Sequence, residues 1–285
     1  MTKFLLLSLF IVVLVSISLT VWRWTDTRAD RALWAGLVSR QPPAPENFSP
    51  SIVADLPEPA QRYFRFAIKQ GAPLYSVVEV SMSGDFSLGS KAKPDYMPMR
   101  AEQVIALPYG FVWQLHAGTT VSISGSDAAG NGHSWSRFWL LGIAPVARAG
   151  NNEDHARSAF GRYVAEAVFW SPAALLPGDE IRWDAIDDTN VRVTVSSNGM
   201  EQAVHLSVDA QGKLTKIVFQ RWSDANPAKT FQLQPFGAYL SEYKEFGGFR
   251  LPTRIEAGNF FETNDYFPFF RVNVTSVRFP GTRQK

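Results

Sequence analysis

Residues 191–222 alternate apolar and polar side chains with a period of two, a pattern that a sheet with one buried face satisfies and a helix does not. Val191, Val193 and Val195 alternate with Arg192, Thr194 and Ser196. Ser197-Asn198-Gly199 then supplies a turn of the kind that needs positive φ. Val204, Leu206 and Val208 carry the apolar face of the return strand, Asp209–Gly212 makes the next turn, and Leu214–Trp222 completes a three-strand meander. Gly247-Gly248 marks another hairpin between 239–246 and 249–257, and 269–279 alternates again. Upstream, 77–88, 97–107, 111–125 and 133–141 also read as strands. The expectation is about ten strands, antiparallel because their turns are short. The predicted fold is therefore mainly β with inserted helices (α+β). It is a curved antiparallel sheet or incomplete β-barrel covered by helices and preceded by one N-terminal transmembrane helix.

That helix is predicted from Phe4 to Trp22, an uncharged run of ~19 residues, close to the ~20 that cross a bilayer. Lys3 precedes it, and Trp22 and Trp24 stand where interfacial aromatics belong. A cleavable signal has a shorter apolar region and a small-x-small exit. Here Ser16-Ile17-Ser18 provides such an exit only inside the apolar run, so an uncleaved anchor is expected and a cleaved signal is the alternative. Arg23, Arg28 and Arg31 follow the run, interspersed with Asp26 and Asp30. The positive-inside rule would hold these bases in the cytoplasm, whereas an anchor that carries a long C-terminal domain outward is the commoner arrangement. The expected location is the inner membrane, single-pass, with the C-terminal domain extracytoplasmic. The expected divisions are 1–25 as anchor, 26–54 as juxtamembrane helix and proline-rich linker, and 55–285 as one β-rich domain. Within the linker, Asp30–Val38 is read as a short helix continuing from the membrane and QPPAPENFSP (41–50) as an extended tether. Asp55 is then read as the cap of a helix running to Gln70, with Gly71 as its stop.

Composition removes several classes of function. Formal net charge is +2 and no Lys/Arg block stands out, so nucleic acid is not an expected partner. The absence of cysteine excludes disulfides, thiolate metal sites and a cysteine nucleophile. His116, His133, His155 and His205 are scattered, and no phosphate-binding loop, zinc-protease motif or serine elbow occurs. No metal and no cofactor are expected. Nine Trp and 21 Phe instead supply apolar area for a core or a ligand cavity.

GRYVAEAVFWSPAALLPG (161–178) is where a site is sought. Phe160, Tyr163, Val164 and Ala167 form one helical stripe, while Arg162 and Glu166 sit four residues apart on its flank. Glu166 is either half of an intrahelical pair with Arg162 or an acid turned into a cavity beneath Trp170. Pro172 stops the helix, and Ala173–Leu176 can fold back as a lid or plug. The WDAIDD acids Asp184, Asp187 and Asp188 read as a strand end and turn, or as carboxylates for acid–base work or a hard cation.

The pattern Arg162-Tyr163-Val164-Ala165-Glu166, Trp170-x-Pro172 and Leu175-Leu176-Pro177 resembles an uncharacterised family of bacterial membrane-anchored proteins. Leu56-Pro57, Arg62-Tyr63, Gly110-Phe111-x-Trp113, Trp183-x-x-Ile186-Asp187 and Leu251-Pro252-Thr253-Arg254 match it as well. The resemblance spans most of 55–280 and implies no established activity. One departure is Ala128 after Ser126-Asp127, where members of the family often carry Tyr. At the level of fold, the family's plan looks like the half-barrels of periplasmic lipoprotein carriers, which hold acyl chains in an apolar hollow.

The leading expectation is a membrane-tethered binding module holding a lipid or other hydrophobic group in a β-cup. Tyr163, Glu166, Trp170, Leu175, Leu176 and Trp113 are its candidate ligand-binding residues. The alternatives are a hydrolase-type enzyme using Glu166 with Asp184 or Asp187, and a structural partner in an envelope assembly.

Overall fold

The computed structural model describes residues 2–281. Met1 and residues 282–285, the outer ends of the predicted anchor and body, lie outside the described residues. Strands alternate buried and exposed side chains as the period-two pattern requires. The first meander comprises β1 (Val77–Ser87), β2 (Tyr96–Ala106), β3 (Gly110–Gly118), β4 (Ser122–Gly130), β5 (His133–Leu140) and β6 (Ala144–Gly150). The second comprises β7 (Ile181–Ala185), β8 (Asn190–Ser197), β9 (Met200–Val208), β10 (Leu214–Ser223), β11 (Gln232–Phe246), β12 (Phe249–Asn259) and β13 (Phe267–Arg278). The two meanders join where the first and last strands pair antiparallel, Val80 opposite Val277 and Phe86 opposite Phe270. The result is one sheet of 13 strands with β6 and β7 at its two free edges, so the barrel does not close.

The sheet has three strands more than the sequence pattern suggests. Residues 111–125 are two strands, divided after Gly118, whose φ of +90° sets up the turn. β6 escaped because AlaProValAlaArgAlaGly is mostly exposed and carries no apolar alternation. β7 is a five-residue edge strand with charges among its apolar residues.

The N-terminal helix is longer than expected. α1 (Thr2–Val38) runs unbroken for 37 residues, about 55 Å at ~1.5 Å per residue, so Asp30–Val38 continues from the membrane segment as expected, with residues 23–29 helical as well. Its first half is long and apolar enough to cross a membrane and makes no buried contact with the body. Its second half lies on the convex face of the sheet. Leu33 and Leu37 pack with Val77, Val104, Val112 and Ala128 into a small core separate from the main one. Asp26 receives both terminal nitrogens of Arg148, at 2.5 and 2.9 Å, and the Trp139 indole N–H at 3.0 Å. Asp30 accepts from Ser126 Oγ at 2.8 Å and Trp135 Nε1 at 3.0 Å. These acids are therefore docking groups. Replacing Asp26 with alanine strands Arg148 and Trp139, and buried hydrogen bonds to charge contribute ~1.5–3 kcal/mol each. The expected outcome is a roughly tenfold or greater rise in tryptic cutting after Arg31, read by mass spectrometry of limited digests.

The proline-rich stretch is extended, as its composition dictates, but it is pinned rather than free. Phe48 is buried and exchanges backbone bonds with Gly71 and Ala72, and Gln41 Oε1 accepts from the Val77 amide. The next helix, α2 (Glu58–Ala67), is shorter at both ends than expected. Pro57 occupies the cap position, and Asp55 makes no capping bond. Ile68 is already extended and bridges Phe249, which ends the helix before Gln70. Ala60, Phe64 and Ala67 face the body as the helical spacing predicts.

α3 (Glu153–Trp170) connects the meanders and crosses the concave face, touching β4 and β5 on one flank and β9 and β10 on the other. Asn152 caps it through the His155 amide at 2.8 Å, and the acids Glu153 and Asp154 in the first turn suit the helix dipole. Ser171 closes it by donating to the Ser76 carbonyl at 2.8 Å.

Candidate functional site

Between α3 and the concave face lies an apolar cavity of about 240 Å³. The sheet's inward positions build it: Ile217, Phe219 and Arg221 from β10, and the cross-strand pair Ala238 and Ala257 from β11 and β12. The small alanines leave the space, and Phe86, Phe138 and Phe269 help to wall it. From α3 come Arg162, Ala165, Glu166, Phe169 and Trp170.

Of the residues singled out in the sequence, Trp113, Glu166 and Trp170 meet at this cavity. Tyr163, Leu175 and Leu176 are not in its lining. Tyr163 is buried against Phe111 and Phe160, with its hydroxyl donating to the Pro108 carbonyl at 3.1 Å. Burial pushes that phenol well above its ordinary pKa. Leu175 is wholly buried, and its carbonyl accepts from the Trp183 indole at 3.0 Å, while Leu176 packs at the edge of the main core.

The Arg162–Glu166 pair and the inward-facing Glu166 both exist. Arg162 Nε donates to Glu166 Oε1 at 2.8 Å, its Nη1 donates to Asp127 Oδ2, and Gln103 Nε2 donates to Glu166 Oε2. All of these side chains except Gln103's, which is fully buried, retain only a fringe of exposure. Arg162 also stacks 4.8 Å from the Trp113 ring and 4.9 Å from Phe111. Burial works against its charge, but Glu166 and Asp127 outweigh it and hold the guanidinium above its ordinary pKa. The chain of bonds continues from Asp127 to Ser136 Oγ at 2.7 Å, which lies 3.0 Å from His155 Nε2. Since the Ser136 proton goes to Asp127, His155 Nε2 is the donor to Ser136, and its Nδ1 is buried without a partner. A hydrolytic relay needs the reverse, with the imidazole taking the serine proton.

Burial pushes the His155 imidazole below its ordinary range, against the opposing pull of Asp127. Below about pH 6.5 the unfolded chain therefore binds this proton more readily than the folded one, so stability falls as pH falls. The expected result is that His155→Gln loses less stability than the parent between about pH 7 and 5, measured by urea midpoints.

Arg221 is the residue that the sequence reading missed. It sits on an apolar face, two residues beyond Phe219 and four beyond Ile217, and an arginine in that register was the available signal. It is partly buried, the cavity reaches it, and its Nε is buried with no hydrogen-bond partner. Burial first, and the Arg162 charge second, depress it to about 10. Its guanidinium lies 5.1 Å from the Phe236 ring.

The acids of the hydrolase alternative lie elsewhere. Asp184 is bonded by Arg192 at 2.9 Å and Arg182 at 3.3 Å, which hold it below the usual carboxylate range, Arg192 contributing most. Asp187 accepts from the Thr189 and Asn190 amides at 2.8 and 2.9 Å, a turn-making role. Neither lines the cavity with Glu166. Among the described residues, no cluster of three or more His, Asp or Glu is placed to hold a metal.

Residues 46–272 match a family of unknown function, DUF6544. The chain belongs to this family. No curated protein matches the chain. Among solved structures, it is similar to a LolA superfamily protein from Nitrosomonas europaea, at 11% identity and a TM-score of 0.42 over 77% of this chain and 91% of that one. It is also similar to a putative outer membrane lipoprotein-sorting protein domain from Vibrio parahaemolyticus, at 12% identity and a TM-score of 0.39 over 74% and 88%.

Proposed function

We propose that this member of DUF6544 is a membrane-tethered binding module that holds a lipid or other hydrophobic group between α3 and the sheet. One observation supports this above all: a cavity of about 240 Å³, walled by phenylalanine, tryptophan and alanine. Its walls are mostly apolar and suit an apolar chain, while Asp127, Arg162, Glu166 and Arg221 in the lining offer polar partners. The volume lies just below the roughly 300–1,000 Å³ of drug-sized sites, which favours a slender occupant such as one acyl chain. Arg221, with its unpaired Nε, favours an occupant with a polar end. In this reading residues 1–25 anchor the chain in the inner membrane, 26–54 connect, and 55–285 form the extracytoplasmic binding domain.

Trp113 and Trp170 report on the cavity because both line it. Acyl chains brominated near the tail are expected to quench the fluorescence of the full chain in detergent. The quenching amplitude is expected to fall by at least half in the Trp113→Phe, Trp170→Phe double variant. Equal quenching in parent and double variant would place the acyl chain elsewhere and refute the proposal.

A further inference from the structure

Two of the three turns at one end of the first meander, those between β3 and β4 and between β5 and β6, are apolar, uncharged and uncovered, whereas the third, between β1 and β2, carries Lys91, Lys93 and Asp95. Val121 between β3 and β4 is 64% exposed, and Leu141 and Ile143 between β5 and β6 are 51% and 65% exposed. Val146, at the start of β6, is 51% exposed. Neither 118–123 (GTTVSI) nor 140–147 (LLGIAPVA) contains a charge. The two turns are neighbours, because the Leu141 amide donates to the Ser122 carbonyl at 2.7 Å.

Their position is set by α1. Arg23 donates through Nη1 to the Gly142 carbonyl and through Nη2 to Ser124 Oγ at 3.4 Å. Trp22 meets Trp139 edge-on at 5.7 Å, and Arg148 lies over the Trp22 ring at 4.6 Å. Gly142 is at φ +69°, and a Cβ there would stand 1.7 Å from Arg23 Nη1, so the turn is shaped to the helix. Residues 22 and 23 are also where the uncharged run 4–22 ends. If that run spans the bilayer, Trp22 and Arg23 stand at its surface, and the turns bonded to them stand at the same height.

We infer that Val121, Leu141, Ile143 and Val146 form a second membrane contact, seated in the lipid interface beside the anchor. Apolar side chains on turns that carry no charge of their own suit that region, and Arg23 and Arg28 alongside suit anionic headgroups. The contact would hold β3–β6 end-on to the bilayer. Phe138, on β5 three residues before Leu141, lines the cavity. The cavity wall thus begins directly above the lipid, and an apolar ligand would have little water to cross.

This inference rests on the anchor reading and not on what fills the cavity. Because the chain has no cysteine, Ile143→Cys gives a single labelling site for an environment-sensitive nitrobenzoxadiazole dye in the full chain. His133→Cys, at the opposite exposed end of β5, is the reference. The vesicles are phosphatidylcholine and phosphatidylglycerol with or without nitroxide-labelled lipid, and retention after carbonate washing checks the anchor independently. The expected result is blue-shifted emission at position 143, quenched by nitroxide lipid several-fold more than at 133. Val121→Cys is expected to behave likewise, which guards against a local effect of one label. Aqueous emission at 143 and 121 in carbonate-resistant chain would overturn the inference, as would a blue shift without lipid quenching, the sign of a protein covering the tip.

Discussion

Arg162→Met is expected to destabilise the fold by about 3–5 kcal/mol, the cost of removing one partner from a buried charge network. Arg162 is the only direct cationic partner of Asp127 and Glu166 among the described residues. Without it, two carboxylates share a confined site with one Ser136 bond and one Gln103 bond between them. The same Arg-before-Glu spacing on an exposed helix contributes only a few tenths of a kcal/mol, so burial makes the difference. Arg162→Lys is expected to fall between parent and Met, because a single ammonium cannot reach both acids with the fixed fork of a guanidinium. Glu58→Gln, which breaks the more exposed pair with Arg62, is expected to cost well under ~1 kcal/mol. Urea titration of the four proteins gives these differences. Losses below ~1 kcal/mol for Arg162→Met would show that the network does not hold α3 on the sheet.

Filling the cavity is expected to separate binding from folding. Ala238 and Ala257 face each other across β11 and β12, and both line the cavity. Leucine at both positions puts apolar volume into empty space, a change that commonly leaves stability level or raises it by ~0.5–2 kcal/mol. The same volume is taken from the ligand, and affinity for an acyl probe is expected to fall at least ~10-fold, equivalent to ~1.4 kcal/mol. A double variant that unfolds more easily and still binds would show that the alanines are packing positions away from the ligand.

The sheet was legible because valine alternation and Asn-Gly or Gly-Gly turns leave strands little choice. It was illegible where no face is buried, as in β6, and where a turn lacks more than one turn-forming residue, as at Gly118–Val121. The docking role of Asp26 and Asp30 on α1 was not visible in the sequence. Their partners, Arg148 and Trp139 for Asp26 and Ser126 and Trp135 for Asp30, lie 96 to 122 residues away, beyond any local pattern. The site was partly legible for the same reason. Arg162 and Glu166 are one helical turn apart and could be paired by spacing, whereas Asp127, Gln103 and Arg221 join them only through the curvature of the sheet. Leu175 and Leu176 looked like a cover because their apolarity was visible, but the carbonyl that fixes Leu175 to Trp183 was not.

The most direct measurement is native mass spectrometry of the full chain, released from gentle detergent after expression in membranes, beside the Ala238→Leu, Ala257→Leu variant. The account predicts a parent population carrying one acyl-sized amphiphile, identifiable on extraction, and a folded variant that carries none. Parent and variant with the same occupancy, or a parent that stays empty when acyl lipid is supplied in excess, would contradict it.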